Sequence, residues 1–166
     1  MKQLNTILGG AVGGKGTTSK IVSGGVPPGM AGVWDEYEAV GYNTQRLFRD
    51  EKWKERGVDH SIIGHMWRIL SKHRDDPTVL VLASGDGRMN DFKTSFYEVL
   101  HEVLKPKDYL KWNVELYSFD WPMPNSQNIN SPTKAKMKKL VEESNRGKFV
   151  NLMDCYEKLV YHQIRA

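Results

Sequence analysis

The stretch that most narrows the choice of folds is TVLVLA, residues 78–83, apolar throughout and rich in β-branched side chains. Bounded by Asp75-Asp76-Pro77 before it and by SGDGRMNDF (84–92) after it, the run reads as a strand buried on both faces. Strands of that kind belong to parallel sheets covered by helices, and parallel neighbours need a crossover of a dozen or so residues. The flanking sequence supplies such crossovers. SKIVSGGV (19–26) is a strand candidate, and MAGVWDEYEAV (30–40) is an amphipathic helix with Val33, Trp34, Tyr37 and Val40 towards one side. TQRLF (44–48) is a second strand candidate. Val58, Ile62, Met66, Ile69 and Leu70 then recur at helical spacing as far as His73. Beyond TVLVLA, the residues Phe96, Val99, Leu100, Val103 and Leu104 mark a helix, and WNVELYSF (112–119) a strand. Pro132, with Ser131 as its N-cap, opens a lysine-rich helix. FVNLM (149–153) is the last strand, with a helix over DCYEKLVYHQ behind it. This alternation predicts an α/β fold, a Rossmann-like three-layer sandwich around a mostly parallel sheet. It forms one domain over residues 19–166, behind a glycine-rich, flexible segment 1–18.

Composition narrows the setting. A chain of 166 residues can bury a proper core without staples. Its single cysteine, Cys155, excludes an internal disulfide, and no disulfide-linked partner is expected. Both points fit an intracellular protein, cytoplasmic or nuclear. LNTILGG is too short and too polar for the core of a signal peptide, and no apolar run is long enough to span a bilayer. The net charge of +4 permits a polyanionic partner. The charge concentrates in Lys134, Lys136, Lys138, Lys139, Arg146 and Lys148, set against Glu142 and Glu143. Such a run is either a solvated helix face or a contact for a phosphate backbone, which asks for little beyond clustered positive charge. A homodimer or a protein partner is equally allowed.

In a parallel sheet the carboxyl ends of the strands share one edge, where ligands bind. The residues just after strands are therefore the ones to inspect. GGAVGGKGTT (9–18) approaches a Walker loop in its glycine and lysine spacing, but Gly16 stands where a magnesium-binding hydroxyl belongs. No strand precedes it either. His60 and His65 are five apart, unlike a helical metal pair four apart, and read as structural histidines. Cys155 reads as a core thiol, and no serine sits in a nucleophile elbow. Carboxylates are the better lead. Asp86 and Asp91 follow TVLVLA, Asp154 follows the last strand, and Asp59 stands at the head of a helix. Acids converging from separate loops make a hard-oxygen site suited to Mg²⁺ or Mn²⁺, which serves phosphodiester hydrolysis by activating water.

Taken in order, SKIVSGGVPPG, VWDEYEAVGY, KERGVDH, VLVLASGDG and VELYSF resemble the NYN domain, a family of the wider PIN-like ribonucleases. The resemblance runs from Ser19 to Tyr161. It implies a PIN-like form of the fold, with acids holding Mg²⁺ or Mn²⁺ and a metal-activated water cleaving RNA. On the matching positions it implies metal-ligating, catalytic roles for Asp59, Asp86 and Asp91, with Asp154 a looser fourth ligand. Asn90 and Arg88, in the same loop, Lys54, which opens the K-x-x-G-V-D motif, and Lys134, Lys138 and Lys139 are then the candidate substrate contacts. Arg88 stands where many relatives carry a second aspartate. NYN domains also begin with a central strand ending in aspartate, read as D-x-S-N, whereas no acid precedes Ser19 here and Lys2 to Leu8 resembles the tail of the helix that follows that strand. The expected fold therefore lacks its central first strand and one ligand. The expected function is a metal-dependent endoribonuclease. The alternatives are an inactive RNA-binding or scaffolding domain of the same fold and, further off, a small-nucleotide binder.

Overall fold

A computed structural model describes residues 19–25, 32–47, 57–84, 95–119 and 132–155. Its packing divides the chain into two compact units, residues 1–66 and 67–166. Five strands and four helices alternate along the described residues, and every strand pair is parallel. The fold is α/β, as the alternation predicted.

In the first unit β1 (Ile21–Gly25) pairs with β2 (Asn43–Leu47), in register from Ile21 opposite Asn43 to Gly25 opposite Leu47. The second strand starts one residue before TQRLF because the Asn43 amide donates to the Lys20 carbonyl at 2.8 Å. The crossover helix α1 (Gly32–Ala39) stops at Gly41, whose φ of +86° is the left-handed conformation that glycine adopts without strain. Trp34 is the buried residue of α1, and its ring fits so closely that a Cβ on Gly24 would lie 3.0 Å away. Val33 does not share that face. It is 42% exposed, since one step along a helix turns about 100° away from the buried neighbour. Polar contacts complete the unit. The Arg46 guanidinium donates to Asp35 at 3.0 Å and to Glu38 at 2.9 Å, tying β2 to α1. The Lys20 ammonium donates to the Val40 carbonyl at 3.3 Å and lies 5.6 Å from the Tyr42 ring centre.

Helix α2 (Val58–Lys72) carries the boundary between the units. Its buried seam is Ile63, Met66 and Leu70, spaced by three and four residues. Ile63 was missing from the expected face, and Val58, Ile62 and Ile69 are only half-buried.

The second unit holds β3 (Thr78–Ala83), α3 (Phe96–Leu104), β4 (Trp112–Ser118), α4 (Pro132–Glu142) and β5 (Gly147–Asn151), with sheet order β3-β4-β5. All five predicted apolar positions of α3 are buried. A start signal the sequence reading passed over, Ser95-x-x-Glu98, opens that helix, the Glu98 carboxylate accepting the Ser95 amide at 3.3 Å. Trp112 is fully buried, and its indole N–H donates to the His73 carbonyl at 3.0 Å. Gly147 enters β5 where a Cβ would stand 2.0 Å from the Val141 carbonyl oxygen, so no side chain fits.

Two expectations are corrected here. β3 is not buried on both faces: Leu80 and Leu82 are buried, Val79 and Val81 half-buried, and Ala83 exposed. Among the described residues it has a strand neighbour on one side only. β3 pairs with β4 and β1 with β2. The last strand starts and ends two residues before FVNLM, and Leu152–Cys155 form a 3₁₀ turn in place of the start of a helix. The rest of DCYEKLVYHQ lies outside the described residues.

Candidate functional site

Because β3, β4 and β5 run parallel, their carboxyl ends share an edge, and Ser84, Phe119 and Leu152 each leave it. The Ser84 amide still bonds to the Tyr117 carbonyl at 3.1 Å, which carries the β3–β4 ladder one step beyond the strand. Ser118 is 2% exposed and stands in register with Asn151 of β5. The Asn151 side-chain oxygen accepts the Met153 amide at 3.0 Å and turns the chain into the 3₁₀ segment. Asp154, in that segment, is exposed.

Helix α4 delivers the basic residues, and the structure sorts them. Pro132 is its first residue, as the sequence indicated, while Ser131 lies outside the described residues. Lys136 and Lys139 are exposed, and Lys139 faces Glu143 at 3.7 Å, a solvated pair of little net strength. Lys138 is half-buried, with its ammonium 4.8 Å from the Phe149 ring centre. Lys134 leaves the solvated face altogether. It is only 5% exposed, and its ammonium donates to the Phe119 carbonyl at the end of β4.

Arg146 also departs from the basic cluster. Its guanidinium donates to the carbonyls of Tyr109 (2.6 Å), Trp112 (3.2 Å) and Lys105 (2.9 Å), locking the loops at the amino ends of β4 and β5. This is an architectural role. A cleft of about 620 Å³ lies beside it, lined by Leu104, Pro106, Leu110, Leu140 and residues 143–146. Those residues precede the strands or end helices, so the cleft opens at the edge opposite the carboxyl ends.

The acids divide between the units. Asp59 is the second residue of α2, half-buried in its first turn, where a carboxylate complements the helix dipole. It belongs to the first unit and Asp154 to the second. Asp86, Asp91, Asn90, Arg88 and Lys54 lie outside the described residues, as does the side chain of Cys155. Among the described residues no group of three or more His, Cys, Asp or Glu side chains is close enough to hold a metal ion. The described donors alone therefore do not fit Mg²⁺ or Mn²⁺. His60 is exposed, and His65 shares a hydrogen bond of 3.1 Å with the Ser19 hydroxyl, so neither stands in a ligand cluster. No described helix is long and apolar enough to cross a membrane.

Ser118 and Asn151, not singled out in the sequence, face each other at the carboxyl ends of β4 and β5. The only signal was their place at strand ends, which a sheet register converts into proximity. Compared with family models, curated proteins and solved structures, the chain matches none.

Proposed function

We propose that this chain is a NYN-type, PIN-like domain that acts on RNA, cleaving it in a reaction that depends on Mg²⁺ or Mn²⁺. The observation that carries the reading is the pairing of a parallel strand edge with a basic helix. Lys134 reaches from the first turn of α4 to the residue after β4, while β3 and β5 lead at that same edge towards Asp86 and Asp154. Lys136 and Lys139 would meet phosphates from the solvated side of α4, a contact that needs positive charge and little shape. A bound divalent ion would supply a nucleophilic water and charge neutralisation at the cleaved phosphate. Asp86 and Asp91, which follow β3 in the sequence, are the side chains proposed to hold it.

The test is cleavage of an end-labelled single-stranded RNA by homogeneous protein with Mn²⁺. Asp86→Asn is expected to lower the rate by at least 100-fold, a roughly 3 kcal/mol rise in barrier, while leaving binding within about twofold. RNA left intact by the unmodified chain would remove the catalytic half of the proposal. A binding-only role rests on the same helix and requires none of the acids. Under it, affinity falls steeply with salt and drops when Lys136 and Lys139 are neutralised.

A further inference from the structure

We infer that the cleft at the amino edge of the β3-β4-β5 sheet is a docking groove for a partner protein. Its guest is a short segment that carries one bulky apolar side chain between acidic residues. The inference rests on the second unit alone and does not use the RNA reading. Both helices that pack on this sheet end at the cleft. Leu104 closes α3, Leu140 lies in the last turn of α4, and Pro106 and Leu110 come from the loop between α3 and β4. Together they make the apolar part of a cleft of about 620 Å³, a volume within the range of binding sites.

Leu110 is the odd member. At 64% exposure it is the most exposed of the large hydrophobic residues among those described. A single exposed leucine would need no explanation, but this one extends the surface of Leu104, Pro106 and Leu140. The backbone holds it there. Tyr109, the residue before it, has a φ of +50°, a left-handed conformation that is costly for a bulky side chain. Its ring meets Trp112 edge-on with centres 5.9 Å apart, and the Arg74 guanidinium lies 5.5 Å from the same ring. Its carbonyl accepts from Arg146 and from the Trp112 amide. Strain of this kind persists only where the surroundings over-determine it. The groove is therefore built before a partner arrives, which lowers the ordering cost of binding.

Charge decides the guest. Lys107 and Lys111 stand next to Pro106 and Leu110 in the chain, both exposed, and no carboxylate among the described residues pairs with either. The nearby acids are engaged elsewhere, Asp108 with Arg74 at 2.5 Å and Glu102 with Lys105. Glu143, the acid in the lining itself, faces Lys139 at 3.7 Å. The carbonyls of Lys105, Tyr109 and Trp112, which would otherwise favour a cation here, are already met by Arg146. An apolar floor bordered by two uncommitted ammonium groups fits an apolar anchor flanked by carboxylates. The cations steer encounter and fix register, while the buried anchor supplies most of the affinity. Single-stranded nucleic acid binds on aromatic platforms, and the lining residues include no aromatic ring.

The test uses the full chain, with its leucine methyl groups followed by NMR. A synthetic peptide with a central tryptophan between aspartates and glutamates is titrated beside two controls, one with alanine for the tryptophan and one with lysines for the acids. A saturable shift of the Leu104, Leu110 and Leu140 methyls is expected, with affinity about tenfold or more above either control. Leu110→Asp is expected to remove that advantage. The paired change Lys107→Glu and Lys111→Glu is expected to lower affinity about tenfold and to weaken its dependence on salt. A single-stranded RNA of the same length is the last ligand. If it binds more tightly than the peptide and moves the same methyls, the surface belongs to nucleic acid and the inference is overturned. Absence of any saturable methyl shift, or peptide binding unchanged by Leu110→Asp, overturns it as well. Should Leu110→Asp fail to fold, the peptide controls and the lysine variant decide.

Discussion

The two units solve the same problem, a parallel strand pair joined by a helix, with different materials. Around β4 the second unit buries Trp112, Val114, Leu116 and Tyr117 against α3 and α4, whose Val99, Leu100, Val103, Met137 and Val141 are closed from solvent. Among the described residues of the first unit, the buried hydrophobic side chains are Trp34 on α1 and Ile63 and Met66 on α2. Around these stand an aromatic group, Tyr37 and Tyr42 with ring centres 5.5 Å apart, and the polar clamp of Arg46. Its second strand, NTQRL, is mostly polar. Apolar burial stabilises in proportion to area, whereas exposed ion pairs contribute little. The 67–166 unit should therefore hold most of the stability of the chain.

The strongest test of that contrast is Trp112→Ala, which empties the largest fully buried site among the described residues and removes one of the two hydrogen bonds accepted by the His73 carbonyl. A loss of about 4 kcal/mol is expected in urea unfolding followed by circular dichroism, with amide protection collapsing across β3, β4 and β5. Trp34→Ala comes next, at about 3 kcal/mol, and sharpens the comparison by where it acts. Hydrogen exchange should rise across Ile21–Gly25 and Asn43–Leu47 and leave the β3–β5 amides protected. If all five strands lose protection together, the units are one cooperative structure and the contrast is wrong.

The smallest effect concerns acid. Hydrogen bonds from Thr44 and then Arg46 hold the Glu38 carboxyl below the usual glutamate range, and Glu38 in turn raises Arg46. A depressed carboxyl contributes stability that is present above its unfolded value of about 4.3 and disappears as pH falls through the folded one. Carboxyl NMR should find Glu38 titrating below model peptides, and Arg46→Met should move it part of the way back. The β1–β2 amides should loosen in that acid window before the β3–β5 amides do. Titration of Glu38 at the ordinary value would remove the clamp from this account.

How far the sequence was legible follows the same division. The α3 seam was read position by position, because an apolar period of 3.6 survives any arrangement of neighbours. TVLVLA was recognised as a strand to the residue, yet its burial was overestimated, since composition does not say which neighbours a strand has. In α1 the periodicity grouped Val33 with Trp34, where eight residues give too little repeat to fix a face. The lysines of α4 looked alike in sequence, and nothing local set Lys134 apart from Lys136 or Lys139. Asp59 was correctly placed at a helix start. Asp86 and Asp91, on which the catalytic reading depends, lie outside the described residues.

By itself the sequence determined the alternating elements, their parallel crossovers and the concentration of charge on one helix. These are local or periodic properties, set by backbone propensity and the spacing of apolar side chains. Only the tertiary structure decided that Lys134 turns inward to the Phe119 carbonyl and that Arg146 is absorbed by three carbonyls. The role of a cation depends on which acceptors and how much water surround it, and those come from segments distant in the chain.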